Sequence, residues 1–414
     1  MQEDYYTDIY NAVCRNDLSE VKLVLAKKSG KIKTFALIRA VCHNFIDIAN
    51  ELIASGKIDL DITNSKHETA LSIAISKRNN NLIKNLIKAG ANCNILNMYG
   101  NNTLMHLIQS IYQIEKDIIR DVIPLTTDLN LKSKQLGAHT ALTMISISNV
   151  NLGAKKEIIK LLLEAGADPN VKSGSGINCL DIIIRKDSLI NKHDIELLET
   201  LLKAGADPNN PDTHGRTSLH RLTLNNSQTI INKSPRIISI NHRLIEIAKL
   251  LVKYGADINK KGSCGNTPLF NALCNNRDIV VIKELVNLGA DVHLKNNCYT
   301  TTLMQCERDI NILRYLLDLG VDVNAQDLYG NTTLMYEACF LEAVKLLIRY
   351  GANIDLANNR DLTLLDICND PVKNYIIKFR AVSSFVIVNN RFRNDKDKKI
   401  YLNDDALTKI FKFL

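Results

Sequence analysis

No stretch of this chain approaches 18 uninterrupted apolar residues, so the sequence offers no candidate membrane-spanning helix. Its opening "MQEDYYTDIYNAVC" is acidic and helical in pattern, without the basic and apolar regions of a cleaved leader. A soluble protein is the expectation. None of the ten cysteines falls in a C-x-x-C pair, which removes the usual zinc and redox spacings and argues against a disulfide framework. Cys274 in "NALC" and Cys339 in "YEAC" instead recur at one place of a repeated helix, as small buried residues would, and reduced core thiols suit a cytosol-like compartment. Also missing are a glycine-rich phosphate loop, H-E-x-x-H and G-x-S-x-G. With them go the commonest routes to catalysis, and the expectation is a non-enzyme with no catalytic residue, cofactor or metal. Charge excludes a further class. From Val372 onward ten Lys or Arg face four Asp, a surplus of +6, which leaves only +2 of the total +8 for the first 371 residues. A main body so close to neutral makes no electrostatic case for nucleic acid.

What the chain does contain is a phrase that keeps returning: "KAGANCN" at 88, "EAGADPN" at 164, "KAGADPN" at 203, "KYGADIN" at 253, "NLGADVH" at 287, "DLGVDVN" at 318 and "RYGANID" at 349. Counting two weaker copies, its first Asp or Asn falls at 59, 92, 128, 168, 207, 257, 291, 322 and 353, in steps of 31 to 50 residues. A Thr-x-Leu phrase follows most copies, with its Leu twelve residues beyond the marker at 71, 219, 269, 303, 334 and 365. The physics of each position is readable. Gly ends a helix in the left-handed conformation, Asp or Asn makes a turn by bonding its own backbone, Thr caps the next helix, and leucines three or four apart face a neighbour.

A unit with this timing resembles the ankyrin repeat. The resemblance implies an all-α solenoid of helix-turn-helix units with β-hairpin-like turns, ten or eleven of them over residues 1–380, whose surface binds another protein. Longer steps place insertions near 108–120, 147–156, 186–194 and 225–242, which are either recognition loops or decoration. In such a repeat His220 ("TSLH") and His106 ("TLMH") are expected to tie helix starts to neighbouring backbone. Met98, Tyr99, Tyr299 and Tyr329 fall near turn tips, where they either contact a partner or cover the next hairpin.

Past Phe379 the pattern changes to a basic, turn-rich stretch, read as a linker over 381–399, and then to "YLNDDALTKIFKFL". As a helix over 400–414 it aligns Leu402, Ala406, Ile410 and Leu414 in one stripe, with Asn403 as a cap and Asp404 and Asp405 near the positive end of the dipole. Its line from Leu402 to Leu414 resembles the first helix of an F-box, with Ala406 in place of one Leu and Asn403 in place of Pro. Ankyrin arrays with such an ending resemble the poxvirus PRANC family and the effectors of obligate intracellular bacteria. By that resemblance Leu402, Asp405, Leu407, Ile410, Phe411 and Leu414 dock on Skp1 of a cullin-1 ubiquitin ligase, while the array holds a host protein for ubiquitination. A monomeric adaptor in the host cytoplasm, or in the nucleus if the basic stretch directs import, is the resulting expectation. The competing reading is a scaffold or sequestering module whose last helix only caps the array.

Overall fold

Each repeated phrase marks the end of one helix and the approach to another, and the computed structural model shows what the pairs build. It describes residues 2–27, 35–110, 115–135, 137–184, 192–224, 235–275, 278–306 and 309–391. Among these the secondary structure is helical, without a strand; an isolated antiparallel bridge joins Gln326 and Thr332, and Ile58 is also a bridge residue.

The chain divides into two units, Met1–Thr213 and His214–Leu414. In the first, six pairs follow one another: α1 (Gln2–Cys14) and α2 (Leu18–Ala26), α3 (Ala36–Cys42) and α4 (Ile46–Ala54), α5 (Ala70–Ser76) and α6 (Asn80–Lys88), α7 (Thr103–Gln109) and α8 (Lys116–Val122), α9 (Ala141–Ile147) and α10 (Leu152–Glu164), α11 (Cys179–Ile184) and α12 (Lys192–Lys203). First helices stack on first helices, α1 on α3, α5, α7, α9 and α11 in turn, and second helices stack likewise from α2 to α12. The second unit has α13 (Ser218–Leu224) and α14 (Pro235–Lys253), α15 (Pro268–Cys274) and α16 (Ile279–Asn287), a 3-10 turn at Leu303–Gln305 with α17 (Ile310–Asp318), α18 (Thr333–Tyr336) and α19 (Leu341–Arg349), α20 (Leu364–Ile367) and α21 (Asp370–Arg391). It stacks in the same two rows. Each unit is thus a solenoid of helix pairs.

Short helices need defined starts. Thr69, Asn102, Thr140 and Thr267 each accept the backbone N–H three residues on, and Pro268 adds a preset φ at the first position of α15. The second helices bury one stripe each: Leu82, Ile83 and Leu86 in α6, Val281, Ile282 and Leu285 in α16, Ile312, Leu313, Leu316 and Leu317 in α17. The leucines of the Thr-x-Leu phrase at 71, 219, 269, 303 and 334 are all at most 1% exposed, each contributing about 1.5–3 kcal/mol by burial. In the last copy the buried leucine is Leu364, and Leu365 is half-buried. Among the described residues no further first helix is stacked over it.

The extra residues of the long steps lie between the two helices of a pair and in the second helix. Second helices are nine residues long at α6, α16, α17 and α19, whereas α10 has 13 and α14 has 19. Two expectations need correction. Cys339 is exposed and Cys274 half-buried, because both stand at the open end of a first helix; the buried thiols are Cys93, Cys179 and Cys306, and all ten cysteines are free. Residues 381–391, read from sequence as the start of a turn-rich linker, continue α21 as helix.

Candidate protein-binding surface

The nine marker residues do one job. Asp59, Asn92, Asp128, Asp168, Asp207, Asp257, Asp291, Asp322 and Asn353 each accept, through Oδ1, the backbone N–H two residues on at 2.8–3.1 Å. The chain turns there because the side chain replaces a backbone acceptor. The residue two further on reaches the next pair. Asn94, Asn170, Asn259 and Asn324 accept a backbone N–H from the following turn with Oδ1 and donate Nδ2–H to a carbonyl there, as in Asp291 N–H to Asn259 at 2.8 Å and Asn259 to Gly289 O at 3.0 Å. At 293 this residue is His, and the step to Asp322 has no such bond among the described residues.

Beyond the turn each segment runs out to a tip and returns. Neighbouring tips are joined by single backbone bonds, among them Lys134 N–H to Tyr99 O, Asn297 N–H to Cys264 O, Leu328 N–H to Cys298 O and Asn359 N–H to Tyr329 O, at 2.8–3.1 Å. Contact is so close at Gly330 (φ +77) that a Cβ would stand 2.7 Å from the Asn359 nitrogen. Tyr299 occupies the equivalent left-handed place with φ +57, an unusual conformation for a bulky residue.

The result, within each unit, is a row of fixed tips carrying exposed aromatic and apolar side chains. Met98 and Tyr99 in the first unit, and Tyr299, Leu328 and Tyr329 in the second, are 48–64% exposed, which leaves about half of each side chain open to a partner. In the second unit the outgoing segments and tips also bear Lys260, Lys261, Lys295 and Arg360 against Asp361 and Asp327, while the acids Asp257, Asp291, Asp322 and Asp355 stay back at the turns. Asp327 is 8% exposed.

A groove of about 500 Å³ lies where the tips at 326–331 and 357–362 meet the last residues of α18 and α20. Buried Met335 lies at its base, Tyr329, Tyr336 and Leu362 line it, and Arg360 belongs to its rim. Asp327 organises this corner: Oδ1 accepts the N–H groups of Tyr329 and Asn331, both at 2.9 Å, and Oδ2 accepts the Tyr336 hydroxyl at 2.6 Å. Burial first, and the Asp327 carboxylate next, raise the pKa of the Tyr336 hydroxyl. Arg360 forms no ion pair among the described residues.

The histidines take different places. His220 Nδ1 accepts from the Thr217 hydroxyl at 2.9 Å and its N–H at 3.2 Å, leaving Nε2–H to donate to Asn266 O at 2.9 Å; this ties a helix start to the following tip. His106 does not share that position. It stands four residues after its cap Asn102, where His220 stands three after Thr217, so its Nε2 meets Ser76 Oγ at 3.3 Å and its buried Nδ1 has no partner. Burial lowers its pKa, with the Glu68 carboxylate opposing. Burial also pushes the Cys93 thiol up to about 11 and Cys179 to about 12. Among the described residues no group of three or more His, Cys, Asp or Glu could hold a metal ion, and no helix is long and apolar enough to cross a membrane. Leu402, Asp405, Leu407, Ile410, Phe411 and Leu414 lie outside the described residues. The groove itself escaped the sequence, since its lining comes from two tips some 30 residues apart; the paired "DLYGN" and "NNRDL" tips were the only signal.

The family to which the sequence can be matched agrees with this architecture. A family model described as "Ankyrin repeats (3 copies)" matches residues 9–97, 37–133, 188–296, 236–327 and 278–358. Among solved structures, the ankyrin repeat domain of Bcl-3, described as a unique member of the IkappaB protein family, is similar with 21% identity over 58% of this chain and 99% of that one, at a TM-score of 0.47. No curated protein sequence matches.

Proposed function

The chain belongs to the ankyrin-repeat family, and from that premise we propose that it is a non-enzymatic adaptor: the row of tips holds a host protein, and residues 402–414 recruit Skp1 of a cullin-1 ubiquitin ligase. A protein-binding scaffold is the coarse function of the fold. The observation that carries the binding half is the set of exposed Tyr, Met and Leu side chains on tips locked to one another through their backbones. A surface ordered before its partner arrives loses little entropy on binding. Catalysis would remain with the recruited ligase.

The Skp1 half rests on the F-box-like line of Leu402, Asp405, Leu407, Ile410, Phe411 and Leu414. The behaviour of α21 supports it over the capping alternative. Val372 and Ile376 are fully buried, while Lys373, Asn374, Lys378 and Arg380 are exposed beside one apolar residue, Ile377, on the outer face of α21. Most of that described face is therefore polar, as the cover of a solenoid end is. Replacing Leu407 and Ile410 together by Ala in the full chain is expected to reduce Skp1 co-purification from host cells at least about tenfold, since each fills a groove as an apolar helix anchor. Undiminished Skp1 recovery would remove the ligase connection and leave a sequestering scaffold.

A further inference from the structure

The groove of the second unit says something about what it receives. We propose that it takes an extended acidic segment of a partner protein, with an apolar side chain seated between Tyr329 and Tyr336 and a carboxylate on Arg360. The inference rests on the protein-binding reading and narrows it to one place and one chemistry.

Three features carry it. First, the apolar seat is prebuilt: Met335 lies buried beneath it, and Tyr336 is held by its hydroxyl on Asp327 at 2.6 Å, so what it offers a ligand is a ring rather than a free polar group. Aromatic walls with few rotatable bonds are effective anchors. Second, Arg360 is exposed and without an ion pair among the described residues. Asp327 is no counterweight, being 8% exposed and already accepting three hydrogen bonds, and Asp361, exposed beside Arg360, makes no ion pair with it. A guanidinium in that state suits bidentate recognition of a carboxylate. Third, the cations along the outgoing segments, Lys260, Lys261 and Lys295, bias approach towards a negatively charged chain. A polynucleotide is the poorer fit. Among the described residues Arg360 is the one cation that lines the groove, and Lys261 is already donating to Lys295 O at 2.8 Å, so these residues offer no row of cations through it to track a phosphate backbone.

The test uses the full chain and four fluorescent probes read by anisotropy: a dodecapeptide with one central Phe flanked by Glu, its counterpart with Gln for every Glu, its counterpart with Ala for Phe, and a single-stranded oligothymidine. Binding of the Glu and Phe peptide at least about tenfold tighter than the other three is expected, weakening as salt is raised. Arg360→Glu should abolish the preference for Glu over Gln, and Tyr329→Ala, at an exposed position that folding tolerates, should weaken both Phe peptides. Equal affinity for the Glu and Gln peptides, indifference to Arg360→Glu, or tighter binding of the oligothymidine would each overturn the assignment. A protein partner that cross-links equally to the parent chain and to Arg360→Glu would overturn the groove alone, leaving the array as a binder through other tips.

Discussion

Two kinds of glycine look alike in the sequence and are held by different physics. Gly351 ends α19 with φ +89, and a Cβ there would meet nothing within 4 Å. Gly330 has φ +77 as well, but its Cβ would press on the backbone of the next tip, at Asn359 N and Asn358 Cα. Gly351→Ala should therefore cost only the left-handed penalty, about 1–2 kcal/mol, and Gly330→Ala about 1–3 kcal/mol more for the overpacking. Denaturant midpoints of the two variants check this; equal losses would mean that the tips are not in enforced contact. Residue-level reading of the sequence was good for the markers, where Asp or Asn could be assigned its own turn before any coordinates. It failed at His106, because a histidine near Thr-x-Leu was equated with His220, although one residue of shift on a helix turns a side chain by about 100°. It failed also for Cys339, since spacing from a leucine fixes a position along a helix and says nothing of whether a neighbour covers that end.

At the scale of the elements, stability lies in the joints. A helix of seven or nine residues is not stable in water by itself, and here each one is held by its row neighbours and by the asparagine bonds between turns. The joint from Asp291 to Asp322 has His293 where Asn259 and Asn324 make their two bonds. His293→Asn should add one or two hydrogen bonds at that joint and raise stability by about 1 kcal/mol. Thermal unfolding would show it, and an unchanged or lowered midpoint would mean that the local turn cannot bring the amide into reach. The period of the repeat, the helix starts and the buried leucines were legible because local chemistry dictates them. The length of α21 was not. "AVSSFVIVNN", with its serines and β-branched residues, has weak helix propensity, and it continues a helix whose earlier turns are anchored by Val372 and Ile376.

For the molecule as a whole, each unit adds up nearest-neighbour contacts, so removing what lies past the last packed helix should leave the rest standing. A chain ended after Arg391 is expected to unfold within about 2 °C of the full chain while losing Skp1. A fall of several degrees would indicate instead that the tail seals the array. Whole-molecule features were the least visible in advance, because the groove, the basic tips and the set-back acids arise only when segments some 30 residues apart are laid side by side.

The asparagine joint has one more consequence. Because one side of a pair presents the same acceptor and donor that the other side of its neighbour requires, at Asn170 as at Asn259 and Asn324, nearly any pair can follow any other. A gene coding for such a chain can grow or shrink by whole units through duplication and loss, with no new seam to invent at the splice.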